Sequence, residues 1–121
     1  MTDEERKKDL SDIFNCCFDI KSIGYMEMQY EVVTPILKKM QELRNHVFDD
    51  IKKISADFFK PENIIINLII ASVRKYNRQW NLYVNMNNLK YCNIDGLNKL
   101  LKIFLESVDG ENNIKRAARF L

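Results

Sequence analysis

Pro61–Arg78 reads PENIIINLIIASVRKYNR, and the fold turns on what this stretch becomes. Pro61 suits the first turn of a helix, where a missing N–H costs nothing. Ile64, Ile65, Ile66, Leu68, Ile69, Ile70, Ala71 and Val73 follow, apolar on nearly every side. A helix of that kind has protein around it in all directions, which makes residues 61–78 the expected buried central helix. The β-branched content allows a buried strand as the rival. The smooth continuation into Arg74, Lys75 and Arg78 gives a length that favours helix.

Outward from this segment the chain is helical. It has only three glycines and two prolines in 121 residues, too few turns for a many-stranded β fold. Thr2 with Glu5 matches a capping box, so a first helix starts there. Leu10, Ile13, Phe14, Cys17 and Phe18 share one face, and Gly24 is the expected stop. Residues 25–34 alternate like a strand, with Met26, Met28, Tyr30 and Val32 apolar. Met26, Tyr30, Val33, Leu37 and Met40 also keep a helical spacing, and helix is favoured because a lone strand would have no partner. Pro35 either kinks this helix or opens a new one capped by Thr34. Ile36, Met40, Leu43, Val47, Ile51 and Ile54 continue the stripe. Trp80, Leu82, Tyr83 and Val84 extend the isoleucine-rich helix or form a short one after it. Asn85, Asn87 and Asn88 fall in an expected loop over 85–93. A helix is expected from Asp95 to Ser107, with Leu97, Leu100, Leu101, Phe104 and Leu105 inward. Asp109 and Gly110 break it, and a short last helix carries Ile114, Ala117, Ala118 and Leu121. The expectation is one all-α domain over residues 1–121.

Composition is globular, with 46% hydrophobic and 30% charged residues and a net charge of +2, which demands no polyanion partner. Cys16, Cys17 and Cys92 are an odd set without regular spacing, which points to a reducing compartment. The charged N-terminus (Asp3, Glu4, Glu5, Arg6) lacks the apolar stretch of a secretory signal. The longest apolar run, Ile64 to Val73, is about half the roughly 20 residues of a membrane span, so no span is expected.

Enzymatic signals are weak. His46 is the single histidine, so no histidine-rich metal site or supported triad can be assembled. No glycine-rich loop is available for a phosphate. Cys17 lies on the apolar stripe and is expected to be a core side chain and not half of a redox pair. The expectation is a chain that is not an enzyme and takes no metal or cofactor. Arg74, Lys75, Tyr76, Arg78 and Trp80 could form a nucleic-acid patch. The favoured reading is that the cations answer the helix C-terminal dipole while the aromatics pack inward, so no nucleic acid is expected. A broad apolar stripe with Met26, Met28 and Met40 suits helix-in-groove recognition of another protein.

Several short matches carry a resemblance. They are Asn15-Cys16-Cys17, Tyr30-Glu31 leading to Ile36-Leu37, Ala71-Ser72-Val73 with Lys75 and Asn77, and Ile94-Asp95-Gly96. In order and separation they resemble poxvirus-type Bcl-2-like apoptosis regulators over most of residues 10–100. The resemblance implies a Bcl-2-like bundle around a buried central helix. It also implies a viral inhibitor of host apoptosis that sequesters BH3 helices of pro-apoptotic Bcl-2 family proteins. The groove implied by that family would include Val33, Ile36, Leu37, Met40, Leu43, Val47, Phe48, Ile51 and Ile54 as walls, with Ile65 and Ile69 in its floor. Host cytoplasm, at the mitochondrial surface through such partners, is the implied location, and a homodimer, including a domain-swapped one, is compatible with helices on short connections. Cellular members carry a Gly-Arg pair where Ile65 and Ile66 stand here. Residues 93–121 are also similar to one armadillo/HEAT-type repeat, through Asp95-Gly96-Leu97, Leu100-Leu101 and Ala117-Ala118. No second copy accompanies it, as a solenoid scaffold would require.

Overall fold

The computed structural model describes residues 2–19, 24–57, 59–106 and 112–121. It is mostly helical, and among these residues extended pairing is confined to one isolated antiparallel bridge, Phe18 with Cys92. Helix α1 spans Asp3–Cys17, α2 Tyr25–Glu27, α3 Thr34–Ser55, α4 Glu62–Asn87, α5 Ile94–Glu106 and α6 Asn112–Ala118. A π-helical stretch, Met28–Val33, joins α2 to α3.

The capping box at Thr2 is present. The Glu5 N–H donates to Thr2 Oγ1 and the Thr2 N–H to a Glu5 carboxylate oxygen, both at 3.2 Å. The helix stops at Cys17 and not at Gly24, because Phe18 turns extended to pair with the loop before α5. The Asp19 N–H donates to the Tyr91 carbonyl and the Asn93 N–H to the Cys17 carbonyl, each at 2.8 Å. Ile13 and Phe14 are half-buried, while the side chain of Leu10 lies outside the described residues.

Residues 25–34 are helical, but their buried face is not the one the spacing gave. Met26 and Tyr30 are exposed, whereas Met28 and Val33, five apart, are buried. The π turn is the cause, since its i→i+5 bonds rotate the stripe out of the 3.6-residue phase. Thr34 does not cap a new helix. It is itself helical, and its hydroxyl donates back to the Gln29 carbonyl at 2.7 Å. The chain passes through Pro35 without a break, and α3 then runs unbroken with Ile36, Met40, Leu43, Val47 and Ile51 buried.

Helices α3 and α4 form a long antiparallel hairpin. Asp50 accepts a 2.7 Å hydrogen bond from Ser72, His46 stacks on Tyr76 at 5.4 Å, and Lys39 lies over Tyr83 at 5.7 Å. Moving four and then seven residues back along α3 thus matches equal moves forward along α4. Helix α4 is 26 residues long, taking in Asn85 and Asn87, and ends at Asn88 in the left-handed region with φ 44°. Helix α6 packs on the other flank of α4, where Arg116 pairs with Glu62 at 3.9 Å. Helix α5 buries Leu97, Leu100, Leu101 and Leu105 with Phe104 half-buried, and Trp80 of α4 reaches it by donating Nε1–H to Asn98 Oδ1 at 2.8 Å. Helix α1 crosses the start of α5 at Gly96. In α6, Ile114, Ala117 and Ala118 are buried and Leu121 half-buried, while Ser107, Asp109 and Gly110 lie outside the described residues.

The expected enclosure of residues 61–78 does not occur. Helix α4 buries Ile69, Ser72, Val73, Tyr76 and Trp80, but Ile64, Leu68 and Ala71 face out. The apolar run covers more than one face only over its first turns. Farther along, the same outer line carries Lys75 and Arg78, and those cations hold that side in water. Among the described residues no helix is long and apolar enough to cross a membrane.

Candidate functional site

The eleven residues expected to form a groove come together, but as core. Val33, Ile36, Met40, Leu43, Val47, Ile51 and Ile69 are buried inside the bundle. Leu37, Phe48, Ile54 and Ile65 are half-buried at its margin. Phe48 is further covered by the Arg44 guanidinium, 5.3 Å from the ring centre. Those seven therefore leave little surface open to a ligand in this conformation. The physical reason is that the buried side of α3 fills the space beneath the hairpin. Ile36 lines a cleft of about 410 Å³ shared with Val32, Pro35, Tyr83 and Leu89. Clefts of about 550 and 630 Å³ lie instead where α1 meets the start of α5, lined by Cys16, Asn93 and their neighbours.

Of the cysteines at that junction, Cys16 is exposed while Cys17 and Cys92 behave as packing groups. Cys17 is buried in the core, and burial pushes its thiol up, with Cys16 adding to the shift. Burial, then Cys17, pushes Cys92 up to about 11. Thiols so held stay protonated at neutral pH and are poor nucleophiles. His46 is exposed, stacked on Tyr76 and 3.8 Å from Glu42. Tyr83 is likewise raised by burial and then by Cys92.

The basic and aromatic cluster resolves into two sets. Tyr76 and Trp80 are buried, so the aromatics do pack inward. The cations are not explained by the helix dipole, because α4 continues to Asn87 and its last turn holds no basic residue. The dipole effect fades within one turn of a helix end. Arg74 lies over Phe120 at 5.3 Å and Lys75 over Tyr76 at 5.1 Å.

What remains is an open face on α4. Ile64, Leu68, Ala71, Lys75, Arg78, Leu82 and Met86 follow steps of four and three and share one line down the helix. All are exposed, Ile64 at 43%, Leu68 at 37%, Leu82 at 60% and Met86 at 82%. Apolar residues thus mark both ends of the line and cations its middle. Leu82 is legible in the sequence as part of a helical stretch and Met86 is not singled out there, although continuing the same count outward from Ile64 reaches both. No family model matches this chain, and neither a curated protein nor a solved structure does.

Proposed function

We propose that this chain works by holding a helix of another protein and not by catalysis. The open face of α4 carries the reading: large, exposed apolar side chains stand in line on a long helix, as protein-docking surfaces do. Within that class, the ordered short matches to poxvirus-type Bcl-2-like regulators support a specific guest. It is the BH3 helix of pro-apoptotic Bcl-2 family proteins, held so that host apoptosis is inhibited. Such a guest would use the half-buried margin residues Leu37, Phe48, Ile54 and Ile65, or the outer face of α4, unless the bundle opens to expose the α3 stripe.

Isothermal calorimetry against a panel of death-motif peptides tests this. Binding of at least one peptide at micromolar concentration is the expected result. Complete absence of binding removes the apoptotic assignment. A helical-repeat scaffold is the second reading, favoured by the long α3–α4 hairpin and its open outer layer.

A further inference from the structure

We propose that the outer face of α4 docks an amphipathic helix whose apolar residues lie at its two ends and whose Asp or Glu residues lie at its centre. This rests on the reading that the chain holds a partner helix, and it names where and with what charge pattern.

The charge arrangement on α4 is unfavourable as it stands. Lys75 and Arg78 are three apart and Arg74 and Arg78 four apart, so cations neighbour cations on the helix surface. The single acid of α4 is Glu62, in the first turn, and it pairs with Arg116. Among the described residues no carboxylate reaches Lys75 or Arg78. Neither the helix dipole nor, among the described residues, an ion pair accounts for their position. An acidic partner across from them would reverse the repulsion and fix the partner's register.

The apolar ends supply the contact area. Isolated exposed apolar residues are ordinary, but Ile64 and Leu68 at one end and Leu82 and Met86 at the other lie on one straight line. From Ile64 to Met86 that line covers about 33 Å of helix axis. Ala71, small and near the middle, lets a second backbone approach closely beside the cations.

A second copy of this chain is the wrong occupant. The face is nearly symmetric about Lys75, so an antiparallel pair of α4 helices would set cations against cations. Nucleic acid is also disfavoured, because Tyr76 and Trp80 are buried and cannot stack on bases.

The test uses the full chain and two synthetic 22-residue amphipathic helices with leucines at both ends of one face. One carries glutamates at the centre of that face, its twin lysines. Fluorescence anisotropy is expected to show the glutamate peptide binding at micromolar concentration and the twin about tenfold weaker or worse. Lys75→Glu with Arg78→Glu is expected to reverse that preference. Leu82→Asp with Met86→Asp should weaken the glutamate peptide by about tenfold while leaving the melting temperature unchanged, since both side chains are exposed. An unchanged preference after charge reversal, or unchanged affinity after the apolar pair is replaced, overturns the proposal. Death-motif peptides that bind equally to wild type and both double variants would overturn this face and leave the helix-holding reading standing. Failure of every peptide, with wild type, overturns both. A single-stranded oligonucleotide that binds through Arg78 while neither peptide does also overturns it.

Discussion

Gly96 shows how one side chain, or the lack of it, sets a helix crossing. A Cβ there would meet Cys17 Sγ at 3.2 Å and the Cys16 carbonyl oxygen and Cys17 Cα at 3.3 Å. Two of those three atoms are backbone and cannot swing aside. Gly96→Val is therefore expected to cost about 1–3 kcal/mol by overpacking, read from urea unfolding. An unchanged midpoint would mean that α1 does not lie against α5 there. Trp80 is fully buried with its indole N–H bonded to Asn98, and Trp80→Ala is expected to cost about 3–5 kcal/mol. Cys92 provides a pH signature. Its thiol rises from 9.0 to about 11 on folding, so the folded state favours the neutral form. Its contribution is full below about pH 9 and is lost as pH climbs towards 11. The unfolding midpoint of wild type should fall across that window more steeply than that of Cys92→Ser. Equal slopes would refute the burial assigned to this group. Alkylation at pH 8 should mark the exposed Cys16 well before Cys17 or Cys92.

At the level of elements, what was legible was local. Thr2 and Glu5 are three apart, and both halves of a capping box are visible in four residues. Thr2→Ala is expected to lower stability by about 1 kcal/mol, with loss of helicity in α1 by circular dichroism. The α3 stripe was equally plain, since Ile36, Met40, Leu43, Val47 and Ile51 keep one phase over four turns. Their destination was not. A stripe looks the same whether it faces a core or a guest, and burial of Met40 and Val47 decides for core. Met40→Asp or Val47→Asp should unfold the chain outright, because an unpaired carboxylate has no solvent there. Either variant keeping its helicity and losing only peptide binding would restore these residues to a groove. The π turn at Met28–Val33 escaped for a different reason: buried residues five apart match neither the helical nor the strand template.

Over the whole molecule, the isoleucine-rich segment is legible as helix, but its surroundings are not. Ten apolar-rich residues look like one block, whereas a helix is buried face by face. Counting from Ile64 in steps of four and three meets Ala71, Lys75 and Arg78, which already placed one side of α4 in water. With α3 on one flank of α4 and α6 on the other, the helix forms part of the outer layer of the bundle. That arrangement leaves a long surface ready for a partner, and the account stands or falls on whether anything binds there. Amide chemical-shift mapping of the ¹⁵N-labelled chain during titration with the glutamate-centred peptide addresses this most directly. The largest shifts are expected within Ile64–Met86, with α1 and the start of α5 undisturbed. Shifts centred on the α1–α5 junction, or none anywhere at saturating peptide, would contradict it.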